Sequence, residues 1–424
     1  MDKKKLLLFA LLAFCLSLFA GCTAQPTPSD GQIGASPMPV TRVDAYLSTH
    51  TQEESGFWLG MAKFAVEDLL GHYWSGSQTT GHIIPTWEGY SYDGLPDARG
   101  GPWEAAMFMF TLYDMWVITG EECYKNYLLA QEAYVRKNYA AGELEAAGEW
   151  LHWAADDCGW NAMIFLNFYT MTKDMYWVER AINLLDNVVA RWYDPVMDGI
   201  RYTDGVDHMA LYEVSICLDW LRIWEITGEQ RFYDLAFRSY NGMQKNLGRD
   251  DGLYFCEANA FWPIGNKDQI GEAGSAAFLG GNLGMAALSA KFYKITGDEM
   301  YLNRVYKTNE GLQKYYVRQD GTFLNDRDAW TNGTFTAVYA SEVLSLPGTE
   351  QMQNVLKTTA LSIFRNARTV DGYYGGSWSG PAEGPLSNWW LIESKPQQIM
   401  TSSSSVLMIT AAAILEAGID DYVR

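Results

Sequence analysis

One short phrase recurs along this chain and limits what it can fold into. It reads "VITGEECYKNYLLA" from residue 117, "TMTKDMYWVERA" from 170, "EITGEQRFYDLA" from 225 and "KITGDEMYLNRV" from 294, with a weaker copy, "LPGTEQMQNVL", from 346. Each copy has apolar residues at helical spacing before the Thr-Gly position and again after the acidic residue. It therefore spells a helix C-cap, a tight turn and a new helix. A second phrase follows each hairpin: "DGIRY" at 198, "DGLYF" at 251, "DGTFL" at 320 and "DGYYG" at 371, with gaps of 53, 69 and 51 residues that track those of the first phrase. Turn and hairpin share one period, the mark of a repeat architecture.

Helices over about 54–70 and 397–418 bring the count to twelve, in six pairs, and little period-two alternation is left for strands. Six hairpins can stack as an open solenoid or close into an all-α (α/α)6 toroid. Closure is expected, because the first and last helices are apolar, carry no polar capping repeat and can pair with each other. In that ring the helices beginning near 102, 158, 207, 275, 330 and 397 are inner, each reached through a long loop, and the long loops gather at one end. The stretch "TSSSSVLMITAAAIL" reads as a tightly packed inner helix of small residues.

Residues 1–22 have a basic start (Lys3, Lys4, Lys5) and an apolar stretch from Leu6 to Ala20, the form of an export signal. Its end, "LFAGC", resembles the bacterial lipoprotein signal, which implies lipidation at Cys22 and a place at the bacterial cell surface. Residues 23–41, rich in Pro, Ser, Thr and Gly, read as a flexible linker, and residues 42–424 as the folded domain. The formal charge of −20, or −22 once Asp2 and the three lysines leave, argues against nucleic acid as a partner and against any membrane contact except through the lipid. Cys123, Cys158, Cys217 and Cys256 lie far apart, with no Cys-x-x-Cys, and read as small buried residues; the five histidines form no ligand pair. No metal or cofactor is expected, and a monomer is.

Ten of the seventeen tryptophans, among them Trp103, Trp153, Trp330 and Trp378, fall in or at the end of the segments leading into inner helices. Flat aromatic faces beside carboxylates and amides suit sugar rings, whose axial C–H groups stack and whose hydroxyls hydrogen-bond; others of these rings simply plug loops onto the barrel end. Within "HWAADDCGWNAMIFLNF", Asp156 and Asp157 stand together ahead of an apolar helix. Alone, such a pair is explained as a helix cap. At the loop-bearing end of a ring it also suits acetal hydrolysis, which takes one protonated and one ionised carboxyl group. Neighbouring residues can splay their carboxyl groups to about 5–5.5 Å, the retaining separation. Repulsion between them and the surrounding Trp153 and Trp160 would raise one pKa, while the helix N-terminus favours charge on the other.

Here the chain resembles glycoside hydrolase family 76, a family of (α/α)6 endo-acting α-1,6-mannanases. The likeness runs over roughly residues 50–415 and rests on "GPWEAAMFMFTLYDMWVITG" and "ADDCGWNAMIFLNFYTMTKDMYWVERAINLLDNV". It implies Asp156 as nucleophile and Asp157 as general acid/base of a retaining hydrolysis, with a polysaccharide or oligosaccharide as substrate. Two stretches depart from it. "DHMALYEVS" places His208, Met209 and Glu213 where similar proteins carry Lys-Asn and a further Asn, and "GGNLG" keeps Asn282 but has Leu283 in place of Gln. Asn282, Asp97, Asp207 and His208 are further candidates for sugar contacts, the last three also explicable as turn or cap residues. Two other functions stay open: a uronide hydrolase or polysaccharide lyase on the same toroid, and a noncatalytic glycan-binding lipoprotein.

Overall fold

The recurring phrase does its work through one hydroxyl. Thr119 donates to the carbonyl of Met115 four residues back and accepts the amide of Glu121 at 3.0 Å, so a single side chain ends one helix and orients the residue that starts the next. Thr172 with Asp174, Thr227 with Glu229, and Thr296 with Asp298 repeat the arrangement. The residue between takes a left-handed conformation, at no steric cost for Gly120, Gly228 and Gly297; Lys173 adopts it with φ 59°. Asp174 and Asp298 then cap the following helices by accepting the amides of Tyr176 and Met300.

The computed structural model describes residues 42–84, 102–139, 154–203, 209–258, 279–325, 332–383 and 395–419. Helices α1 (Arg42–Thr49), α2 (Phe57–Tyr73), α3 (Pro102–Thr119), α4 (Glu122–Tyr139), α5 (Ala155–Thr172), α6 (Met175–Trp192) and α7 (Val214–Thr227) are followed by α8 (Gln230–Leu247), α9 (Leu279–Thr296), α10 (Glu299–Tyr316), α11 (Thr336–Glu342), α12 (Glu350–Asn366) and α13 (Ile399–Ala417). A 3-10 turn, Leu211–Glu213, leads into α7. Six two-residue strands pair antiparallel: β1 (Trp74–Ser75) with β2 (His82–Ile83), β3 (Tyr193–Asp194) with β4 (Gly199–Ile200), and β5 (Met209–Ala210) with β6 (Glu257–Ala258).

The inner helices α3, α5, α7, α9, α11 and α13 each pack on the next, and α13 packs back on α3, which closes the ring. Inner and outer helices differ in how they bury their surface. Helix α5 buries every residue from Ala155 to Phe168 and α13 every residue from Ile399 to Ile414, as enclosed helices must. Outer helix α6 buries only Trp177, Val178, Ala181, Leu184, Leu185, Val188 and Trp192, a single stripe at helical spacing. Helix α13 has the length and apolarity of a membrane span, yet it is 89% buried within the protein. Helix α2 pairs with α13, as the expected closure requires. The expected starts of the inner helices lie within about seven residues of those observed. Helix α1, missing from the expected count, lies against α12, with Tyr46 donating to the carbonyl of Phe57 at 2.8 Å and packing its ring on Phe364. Cys158, Cys217 and Cys256 are buried and Cys123 is half-buried, and none of the four is in a disulfide among the described residues.

The Asp-Gly phrases form tight reversals after outer helices, with bridges Gly248–Tyr254, Val317–Phe323 and Arg368–Tyr374 and left-handed glycines at 252, 321 and 372. Each reversal is then fastened by a side chain from the next hairpin. The amides of Ile83, Ile200, Tyr254, Phe323 and Tyr374 donate to Gln131, Glu213, Asn282, Thr359 and Ser402, all at 2.8–2.9 Å. The last reversal also carries a buried ion pair. Arg368 donates two hydrogen bonds, at 2.8 and 3.0 Å, to Asp68 of α2, and the Tyr374 hydroxyl adds a third at 2.9 Å.

Candidate active site

Asp156 and Asp157 occupy the second and third positions of α5, and both are buried, 9% and 7% exposed. The cap position belongs to Ala154, whose extended backbone offers no side-chain hydrogen bond. Its neighbour Ala155 donates its amide to the carbonyl of Tyr202 at 2.9 Å, and Ala154 pairs with Thr203 as an antiparallel bridge. The first turn of α5 is therefore seated on the segment that follows β4, and the simple reading of the aspartates as the N-cap gives way to this backbone seat. Two carboxylates at these positions feel the positive end of the helix.

Small residues let the ring tighten around the first turns of the inner helices. A side chain on Gly159 of α5 would meet Ser215 Oγ of α7 at 2.3 Å, one on Gly284 of α9 would meet Val214 and Phe335, and one on Gly333 would meet the Ser404 carbonyl of α13. Trp160 packs at 5.4 Å on Phe335, and Asn161, one turn beyond Asp157, is buried with it. Lower down, Arg222 of α7 donates to Asn167 Oδ1, the Leu166 carbonyl and Thr170 Oγ1 at 2.6–2.8 Å, which locks α5 against α7.

Glu213, at the start of α7, is 3% exposed and accepts the Ile200 amide on Oε1. Burial is the main cause that pushes its carboxyl up to about 8; the Ser239 hydroxyl and the Ile200 amide pull the other way, and Asp198 adds to the rise. Of the three departing residues in its stretch, His208, Met209 and Glu213, it is the one whose side chain is described.

Two of the sequence candidates take other roles. Asn282 is fully buried and spends its carboxamide on Tyr254, accepting the amide and donating back to the carbonyl, so it braces a turn. Trp378 is 1% exposed, with its indole N–H on Ser405 Oγ at 3.0 Å, and plugs the barrel end. Asn282 was expected among sugar-binding residues from the resemblance and Trp378 from its place before an inner helix; both side chains are buried, with their polar atoms bonded to Tyr254 and Ser405. Trp153, Asp97, Asp207, His208, Trp330 and Cys22 lie outside the described residues, and of Trp103 only the place in the first turn of α3 is described. Sequence reasoning missed the seat at Tyr202 and Thr203, since a backbone carbonyl leaves no mark in side-chain identity. Among the described residues no group of three acidic, His or Cys side chains could hold a metal.

No protein-family profile and no curated protein sequence matches the chain. Solved structures do. The GH76A α-1,6-mannanase of Salegentibacter sp. HEL1_6 is 17% identical, with a TM-score of 0.64 over 84% of this chain and 99% of its own. A family 76 mannosidase from Bacteroides thetaiotaomicron is 15% identical, with a TM-score of 0.61 over 85% of this chain and 98% of its own. An inactive variant of the Salegentibacter enzyme, with two adjacent aspartates changed to Asn, was solved with α-1,6-mannotriose at a TM-score of 0.64. The protein thus has the (α/α)6 toroid fold of glycoside hydrolase family 76 enzymes.

Proposed function

We propose that the protein is a glycoside hydrolase that cuts α-mannan or a related α-linked polysaccharide, within the chain and with retention, using Asp156 and Asp157. The observation that carries this reading is the buried pair in the first turn of an inner helix whose cap is supplied by other residues. Two acids buried together, neither at the cap position, fit a reaction that needs one to attack the anomeric carbon and the other to protonate the leaving oxygen. A toroid relative inactivated at two adjacent aspartates and bound to α-1,6-mannotriose supports the same reading. The test is digestion of a polysaccharide panel led by α-1,6-mannan, with products sized and their anomeric configuration followed by NMR. Oligosaccharides of retained configuration are expected. Unsaturated, ultraviolet-absorbing products would indicate a lyase, and binding without new reducing ends a noncatalytic receptor.

The same proposal places the protein outside the cytoplasm, as a monomer anchored by a lipid on Cys22. Cys22→Ser should release it from the membrane fraction or stall its processing. A variant that fractionates like the parent, with no lipid on either by mass spectrometry, would remove the anchor from the proposal.

A further inference from the structure

Five chain reversals around the ring are fastened in the same way, and four of the fasteners, Gln131, Asn282, Thr359 and Ser402, have no charge to gain or lose. The fifth is Glu213, and its reversal is the one that seats the aspartate pair. From Glu213 Oε1 the path runs to the Ile200 amide at 2.8 Å, then along the chain to Tyr202, whose carbonyl holds the Ala155 amide at 2.9 Å, and to Thr203, which pairs with Ala154. The far side of this reversal is pinned to outer helix α8: Arg238 bonds Asp198 and Asn246 bonds the Met197 carbonyl. β3 pairs with β4, and the Arg201 amide bonds the Trp192 carbonyl at 2.8 Å; Glu213 adds the fastening from the inner ring.

We propose that Glu213 is a positioning residue that sets where Asp156 and Asp157 stand, by holding Ile200 and through it the seat of α5. The proposal rests on the catalytic reading of the pair. Around Glu213, the β3–β4 reversal presents Asp198 and Tyr193, Cys217 lies one turn along its own helix, and α8 presents the Ser239 hydroxyl, with Arg238 beyond it occupied by Asp198. Among the described residues no cation pairs with Glu213. At neutral pH the carboxyl is held neutral, like the other four fasteners. Ionisation above pH about 8 puts an unpaired charge beneath the seat and disturbs it.

The test compares the full chain with Glu213→Gln and Glu213→Leu. Glutamine keeps the acceptor for Ile200 and cannot ionise, so kcat at pH 7 should stay near parental while the fall in kcat above pH about 8 disappears. Leucine removes the acceptor; kcat should drop about 10- to 100-fold with KM little changed, as expected when the reacting groups are misplaced and binding is not. Hydrogen exchange by mass spectrometry gives a reading independent of turnover. The Ile200 and Ala155 amides should exchange faster in the Leu variant at any pH and, after correction for intrinsic rates, faster in the parent at pH 9 than at pH 7, with no such rise in the Gln variant. If the parent cuts nothing in the panel, the proposed function fails and exchange alone decides the seating. A Leu variant with parental kcat and exchange overturns the proposal, as does a Gln variant that keeps the parental pH response in exchange and turnover; this second comparison serves even if the Leu variant does not fold.

Discussion

Asp156→Asn should lower turnover of the polysaccharide by about a thousandfold or more, because no nucleophile is left to form the glycosyl-enzyme. Asp157→Asn should lower it by about 10²- to 10⁴-fold, the usual worth of a general acid/base. The two variants should part on an aryl glycoside with a good leaving group. Departure then needs no proton, so the Asp157 variant should form the intermediate and accumulate it, visible as a burst of phenol followed by slow release. The Asp156 variant should show no burst. Neither change should unfold the protein. The cap of α5 is Ala154, its first amide is held by Tyr202, and Asn matches Asp in size and shape. Near-parental turnover in both variants, on a polysaccharide the parent cuts, would sink the assignment.

The largest effect on stability is expected at Asp68. Its carboxylate takes both arms of Arg368 and the Tyr374 hydroxyl, with 7% and 10% of the two charged side chains exposed. Asp68→Ala should cost about 3–5 kcal/mol, since it strands a buried guanidinium. The pair also sits where the two ends of the ring meet. Asp68 belongs to α2, Arg368 follows α12, and Tyr374 gives its amide to Ser402 of α13, while Tyr73 of α2 donates to the Gln397 carbonyl just before α13. Urea unfolding should show a lower midpoint for Asp68→Ala and a much smaller change for the double variant Asp68→Leu with Arg368→Met, which leaves no lone charge. An Asp68→Ala midpoint equal to the parent's would mean that the ion pair contributes nothing to closure.

What the sequence disclosed and what it hid divide along a physical line. Thr119, Thr172, Thr227 and Thr296 announce their turns because the side chain itself makes the bonds. Helix α5 shows up as an inner helix because no polar face interrupts it. The ring followed from these local signals plus the pairing of the first and last helices. The aspartates were visible as chemistry, but the backbone seat beneath them was not, because it depends on the carbonyl of Tyr202, which follows a whole outer helix later in the chain. Asn282 and Trp378 misled for a related reason: a position beside an inner-helix start says which loops are near, and only packing says whether the side chain faces a loop or the cleft.

The pairing of α2 with α13 has a consequence for how the protein comes into being. Translation delivers α2 among the first helices, while its hairpin partner, Ile399–Ala417, arrives last. Until then the apolar flanks of α2 and α3 that α13 covers stay bare, and a nascent chain stopped short of residue 399 presents sticky surface that no earlier helix can cover. Every other hairpin is local and can form as it emerges, so the rate-limiting event should be a single long loop closure once α13 has been made. A circular permutant of the ring that joins Ile419 to Arg42 through a linker and opens one of the Thr-Gly turns would make that hairpin local too, shifting the slow step to whichever turn was cut.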